Sequence, residues 1–160
     1  MAEIAKEQPI VYVDECGVEQ HMTRERAWSS RGERVISFRP GKRYKRINVI
    51  AGKCDGEVLG EAMYDWSTNS QWFEVWFEWH LCPKLKQNSV IIMDNARFHR
   101  KSEIERIAHF YGFSILWLPP YSPDKNKIEL LWANLKNWLR LHAHLSPSIQ
   151  LAISSFFKLE

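Results

Sequence analysis

Asp14, Asp94 and Glu129 are the residues whose type and spacing point most directly to chemistry. Asp14 ends the apolar run Ile10-Val11-Tyr12-Val13, and Asp94 ends the near-matching run Val90-Ile91-Ile92-Met93. Short apolar runs rich in β-branched residues read as strands buried on both faces, so these two predict neighbouring parallel strands that aim carboxylates into one crevice. Crowded carboxylates repel, and at least one pKa rises unless a hard divalent cation compensates the charge. With Mg²⁺ the cluster becomes a phosphoryl-transfer site. Each aspartate also has a simpler reading, as the cap of a turn after its strand. The pairing of the two with a third acid on a helix favours the metal site. A nucleotide-hydrolysing domain also ends an apolar strand in Asp, but it needs Gly-x-x-x-x-Gly-Lys-Ser/Thr, which none of the seven glycines supplies.

Glu129 falls in the first turn of a predicted helix, and Asn126 three residues earlier makes an Asn-x-x-Glu start, so Glu129 is also a candidate for a capping box. If Asp124 caps instead, Glu129 is free to face the crevice; both readings stay open. Glu15 points to the opposite face if the strand continues, which makes it a surface or supporting residue. His99 is either a phosphate or metal-water contact or, the favoured reading, a hydrogen-bonded loop histidine. His142 and His144 face different directions on a helix end and read as solvated. Two basic clusters are candidate contacts to DNA phosphates. Arg39, Lys42, Arg43, Lys45 and Arg46 straddle the Pro40-Gly41 turn, where a solvated hairpin tip is as good a reading, and Arg97, Arg100 and Lys101 follow Asp94.

Several elements must position these groups. Residues 1–8 are polar and read as frayed, and a first strand covers 9–14. Candidate strands at 34–38, 46–51 and 57–64 form an antiparallel meander, with Asp55-Gly56 as a tight-hairpin signal. Trp72, Phe73, Trp76, Phe77 and Trp79 recur at helical spacing from Ser67 to Pro83, as a core face rather than a base-stacking platform. After the Asp94 strand comes a helix over 101–111, stopped by Gly112, and a strand over 113–118 that ends at Pro119-Pro120. The next helix carries the stripe Ile128, Leu131, Trp132, Leu135 and Leu139, and a last one follows Ser146-Pro147 with Pro at an early helical position. Strands followed by βαβα describe an α/β layered domain.

A chain of 160 residues suits one domain, able to bury roughly 70% of its unfolded surface. A formal net charge of +3 is too small to imply a polyanionic partner by itself, so the clustering of charge carries more information. Three cysteines without a Cys-x-x-Cys pair indicate neither a disulfide framework nor a zinc site. No stretch approaches the roughly 20 apolar residues of a membrane helix and no signal-peptide pattern opens the chain, so a soluble cytoplasmic protein with no membrane partner is expected.

Taken together, the motifs resemble the catalytic domain of DDE transposases, in particular the bacterial insertion-sequence six-thirty family of the mariner superfamily. Val11-Tyr12-Val13-Asp14-Glu15-Cys16-Gly17 looks like the first-acid motif, usually Asp-Glu-Thr-Gly. Ile91-Ile92-Met93-Asp94-Asn95-Ala96-Arg97-Phe98-His99 looks like the second. Leu118-Pro119-Pro120-Tyr121-Ser122-Pro123-Asp124-Lys125-Asn126-Lys127-Ile128-Glu129 looks like the third, and 34 residues separate Asp94 from Glu129. The resemblance spans about residues 9 to 142. Lys125 and Lys127 stand where the family usually has Leu and Pro, and Cys16 where it has Thr. All three acids are kept.

The resemblance implies a ribonuclease H-like α/β fold: a mixed five-stranded sheet with helices on both faces and the first and fourth strands adjacent. It implies a catalytic domain over 9–157, with 1–8 a frayed segment and 158–160 a tail outside it. The helix-turn-helix region with which the family reads its transposon ends is not in this sequence, so the chain looks like a catalytic fragment or a separately encoded half. The implied mechanism is cut-and-paste transposition, with two Mg²⁺ or Mn²⁺ ions held by Asp14, Asp94 and Glu129. One activates water or the 3′-hydroxyl of the cleaved end, and the other stabilises the leaving oxygen. Implied partners are double-stranded DNA, as transposon ends and a TA target, and a second copy in a homodimer on paired ends, at a bacterial nucleoid. The competing readings are another ribonuclease H-like nuclease, such as a junction resolvase or hybrid nuclease, and a non-catalytic DNA-binding remnant of a transposase.

Overall fold

The computed structural model describes residues 8–19, 46–120, 122 and 125–158. The expected strand at 34–38 and the basic residues Arg39, Lys42, Arg43 and Lys45 lie outside these, as does Asp124, the alternative cap. Five strands form one mixed sheet: β1 (Ile10–Glu19), β2 (Arg46–Cys54), β3 (Glu57–Tyr64), β4 (Val90–Met93) and β5 (Ser114–Trp117). Their order is β3-β2-β1-β4-β5, with β1 parallel to β4 and antiparallel to β2. This is the ribonuclease H-like arrangement that the resemblance implies, with the first and fourth strands side by side.

The local sequence explains much of this. All four residues of β4 are buried because the strand has neighbours on both edges and cover on both faces, which suits its unbroken apolar run. The β2–β3 connection is two residues long, and Asp55 and Gly56 take φ of 50° and 90°, the left-handed pair that a type I′ hairpin demands. β1 is longer than the expected 9–14. It continues to Glu19 because its antiparallel register with β2, from Val11↔Cys54 to Glu19↔Arg46, supplies backbone partners along its whole polar half.

Helices cover both faces. On one, Val11, Val13, Ile91 and Met93 meet the aromatic segment, which consists of α1 (Ser70–Trp76), a π turn (Phe77–Leu81) and a 3₁₀ turn (Cys82–Lys84). Asn69, inside the polar stretch 67–70, caps α1, accepting from the Trp72 amide at 2.9 Å. The π turn shifts the periodicity, so Phe73, Trp76 and Phe77 are buried but Trp79 is 67% exposed, against the expected core stripe. Trp76 Nε1 donates to the carbonyl of Gly60 at 2.7 Å and ties this segment to β3. α2 (Lys101–Phe110) joins the same core through Ile104, Ile107 and Ala108, and Gly112 follows it at φ 77°.

On the other face, α3 (Glu129–His142) buries Leu131, Trp132, Leu135 and Leu139 against Cys16, Val18, Val49 and Ala51, with Ile128 just before the helix in the same core. α4 (Ile149–Phe157) adds Ile149, Ala152, Ile153 and Phe156 to that layer. Its cap is Ser148, which accepts from the Leu151 amide, so Pro147 sits just outside the helix instead of in its first turn. All three cysteines are buried as free thiols. Among the described residues no helix is long and apolar enough to cross a membrane.

Candidate active site

Strand register brings the two aspartates together. Val13 pairs with Met93, the last residue of β4, so Asp14 and Asp94 are the next positions along two adjacent parallel strands. Alternation in β1 puts Val11 and Val13 on the aromatic face and Tyr12, Asp14, Cys16 and Val18 on the α3 face. Asp14 therefore looks toward the helix whose first residue is Glu129. Asp14, Asp94 and Glu129 all line one cleft of about 560 Å³, walled also by Asn95, Arg97, Leu118, Pro119, Pro120, Ser122 and Asn126.

Each acid has its own support. Asp14 Oδ2 accepts from Trp132 Nε1 at 3.2 Å, a bond between β1 and α3. Burial, joined by the charges of Glu129 and Asp94, pushes the Asp14 carboxyl up to about 7. Hydrogen bonds from the Glu15 backbone and Trp132 oppose that rise. Asp94 moves the other way. The hydrogen bond from His99 holds its carboxyl below the usual range against burial, with help from the Ala96 amide. His99 Nε2 lies 3.3 Å from Asp94 Oδ1, and the Ala96 amide donates to the same oxygen at 3.3 Å.

The His99 side chain is only 3% exposed. Its ring centroid lies 4.3 Å from that of Phe73 and 4.3 Å from that of Phe98. The favoured reading of a hydrogen-bonded loop histidine describes it, and the acceptor is the second acid itself. Nε2 carries the proton it donates, leaving Nδ1 buried without a partner.

Glu129 is exposed at the amino terminus of α3, where the helix dipole favours a carboxylate. Its backbone amide donates to the carbonyl of Asn126 at 3.1 Å, but no side-chain capping box joins the two residues. Instead the Asn126 side chain, 4% exposed, accepts from the Ile128 amide and donates through Nδ2 to the carbonyl of Val13, both at 3.4 Å. It brackets the start of α3 to the strand residue just before Asp14. Sequence reasoning missed this bracket and the Trp132 bond. An aromatic N–H on an otherwise apolar stripe was the one available signal, since a buried indole needs an acceptor.

Glu15 lies on the aromatic face with Oε1 buried and unpartnered. Burial, then the charges of Asp14 and Asp94, push it up to about 8. Arg97 lines the cleft. Arg100 is engaged by Glu74 through Nε at 2.7 Å and through Nη2, and Lys101 Nζ sits 5.0 Å over the Trp117 ring. The exposed Arg46 starts β2, its guanidinium against Gly17. His142 is not simply solvated: it stacks on Trp138 at 4.6 Å and pairs with the Trp138 carbonyl.

The donors in the cleft are hard carboxylate oxygens, and the raised Asp14 carboxyl marks a place where a divalent cation would ease ionisation, so the residues fit such an ion chemically. Among the described residues, no three His, Cys, Asp or Glu side chains stand close enough to hold an ion as they are arranged. Asp14 is turned to Trp132 and Asp94 to His99, so full convergence requires side-chain rotation.

The model of a family described as DDE superfamily endonuclease matches residues 9–152. Among solved structures, the Mos1 transposase paired-end complex with left transposon end is similar at a TM-score of 0.65 and 16% identity, covering 81% of this chain and 41% of that one. The Mos1 strand transfer complex is similar at a TM-score of 0.61 and 16% identity, covering 94% of this chain and 51% of that one. The mariner Mos1 paired end complex with Mg gives a TM-score of 0.61 at 16% identity, covering 94% and 52%. The chain thus spans about half the length, or less, of the proteins it matches. No curated protein matches it.

Proposed function

On the premise that this chain belongs to the DDE superfamily endonucleases, we propose that it carries the catalytic site of a mariner-type transposase, which cuts DNA and joins the freed end to target DNA. The observation that supports this reading best is the approach of Asp14, Asp94 and Glu129, from two strands and a helix far apart in sequence, to the border of one cleft. The solved relatives are described as paired-end and strand transfer complexes, one of them with Mg, and the reading extends those descriptions to this chain.

Asp14, Asp94 and Glu129 would hold Mg²⁺ or Mn²⁺, two ions in this proposal, which when bound supply Lewis-acid stabilisation of charge at phosphorus and a more acidic water. The chain's own residues prepare the site. Trp132 orients Asp14, His99 keeps Asp94 ionised, and Asn126 fixes the helix start that carries Glu129. Arg97 offers a cation to the incoming phosphodiester, and Pro119-Pro120 gives the cleft a stiff wall. In the first reaction water attacks phosphorus and the bond to the 3′-oxygen breaks, leaving a 3′-hydroxyl and a 5′-phosphate. In the second, that hydroxyl attacks a target phosphodiester, forming one P–O bond as another breaks. No covalent bond to the protein forms. Duplex transposon ends, a TA target, a homodimer on paired ends and work at a bacterial nucleoid belong to the same proposal.

Strand joining tests it. Purified protein with Mg²⁺ or Mn²⁺ should nick plasmid DNA and couple a labelled oligonucleotide through its 3′-hydroxyl into that plasmid, and Asp94→Asn should lose both activities. Cutting without joining would return the chain to the nuclease class, and neither activity in the wild type would remove the catalytic reading.

A further inference from the structure

A second cavity, of about 530 Å³, lies beside the carboxylate cleft and is lined by Tyr12, Lys53, Lys86 and Lys127 together with Asp55 near the hairpin tip. The three lysines come from β2, from the loop before β4 and from the approach to α3, so the fold and not local sequence collects them. Lys86 and Lys127 are exposed and Lys53 is half-buried. Among the described residues none of them forms a salt bridge, whereas Arg100 and Arg106 are each taken up by a glutamate. Three ammonium groups with no salt bridge among the described residues, against the single carboxylate of Asp55, give this concavity a net positive lining that favours an anion.

Register joins this groove to the catalytic cleft. Tyr12 faces Lys53 directly across β1 and β2, and Asp14 faces Ala51 two residues further along the same face. That step is about 7 Å along the strand. Lys127 Nζ sits 5.8 Å from the Tyr12 ring centroid, and its neighbour Asn126 lines the carboxylate cleft. The next positions along this face from Asp14, toward the amino end of β1, are therefore Tyr12 and Lys53, with Lys127 over the Tyr12 ring. Asp55 is the one acid in the lining, and it lies at the end away from the carboxylates.

We propose that Lys53, Lys86 and Lys127 form a track for the DNA phosphodiester backbone that guides the strand flanking the reacting phosphate into or out of the carboxylate cleft. The assignment rests on the catalytic reading above. It adds binding residues that the sequence did not single out for DNA, and it gives a purpose to Lys127, which stands where the resembled motif has proline.

The test is fluorescence anisotropy with a labelled DNA duplex and its matching single strand, over about 50–200 mM salt without divalent cation, where binding is read apart from cutting. The triple variant Lys53→Gln, Lys86→Gln, Lys127→Gln is compared with a charge-matched control, Lys84→Gln, Arg140→Gln, Lys158→Gln, whose residues are exposed outside the groove. Each lost phosphate contact should flatten the slope of log affinity against log salt by about 0.9 on duplex or about 0.7 on single strand. The groove variant should lose up to about three contacts' worth of slope in at least one arm, and the control should keep the wild-type slope. Equal slopes in all three proteins, or equal losses in both variants, would overturn the track. If the wild type nevertheless cuts DNA with Mg²⁺ at low salt, the catalytic reading survives that result. Wild type that neither binds nor cuts DNA overturns both.

Discussion

The two aspartates of the cleft are pushed in opposite directions, and that asymmetry has measurable consequences. The fold raises Asp14 to about 7, so between about pH 4 and 7 the folded protein keeps a proton that the unfolded chain has already released. Proton binding by the folded state means that stability falls as pH rises through this window, and the full penalty remains above it. Asp14→Asn should therefore raise Tm in EDTA at pH 8 by several degrees, for a penalty of at most about 4 kcal/mol, and change little at pH 4. Mg²⁺ at pH 8 should raise the wild-type Tm and leave the variant unchanged. A Tm difference that is the same at both pH values would show that Asp14 is not held protonated by its surroundings. For Asp94 the direction is reversed, and His99 is the main cause. His99→Ala should raise the Mg²⁺ concentration needed for half-maximal cleavage, while His99→Gln, which can present an N–H donor in place of Nε2, should recover part of the loss. Equal metal requirements in wild type and His99→Ala would reduce His99 to a packing residue.

Helix α3 reaches the site through two bonds, the indole of Trp132 to Asp14 and the amide of Asn126 to the Val13 carbonyl. Asn126→Ala frees the helix start and leaves a buried carbonyl with one partner fewer, at a cost of about 1–3 kcal/mol. Because a 1 Å misplacement can cost about 100-fold in rate, cleavage should fall by at least about 10-fold under conditions where urea melts show the protein still folded. Activity that tracks the folded fraction alone would deny Asn126 a positioning role. The same element shows what could be read in advance. The stripe from Ile128 to Leu139 was legible because apolar residues at helical spacing admit one amphipathic solution, and Asp55-Gly56 because only a few dipeptides accept two left-handed residues. β4 and its terminal Asp94 were legible by continuous hydrophobicity. The extension of β1 past Asp14 was not, because Glu15-Cys16-Gly17 has no strand pattern and its partners lie 30 or more residues away on β2. The exposure of Trp79 was hidden by a π turn that no periodicity rule anticipates. Asn126 reads in sequence only as a local cap, since nothing near it along the chain shows that its amide meets Val13.

At the scale of the molecule, the site lies where the sheet changes direction. From β1 the chain builds outward through β2 and β3, then returns to lay β4 on the opposite edge of β1 and β5 beyond it. Crevices at such switch points, at the carboxyl ends of strands, are where open α/β sheets place ligands, and Asp94 stands at the carboxyl end of β4. The same central strands bear both cores. Val11 and Val13 of β1 face the aromatic segment and α2, whereas Cys16 and Val18 of that strand face α3 and α4. Neither layer keeps its apolar face dry without the sheet, so the two should melt as one unit. Ile91 and Leu135 are each fully buried, one in each core. Ile91→Ala and Leu135→Ala should each cost about 2–5 kcal/mol, and each should shift the whole urea transition without splitting it. Tryptophan fluorescence samples mainly the aromatic layer and far-UV circular dichroism all the helices, so coincident midpoints by the two probes in both variants are the expected result. Separated midpoints in either variant would mean that one helical layer can detach while the other holds, and the carboxylates would then sit between independent halves instead of on a shared rigid sheet.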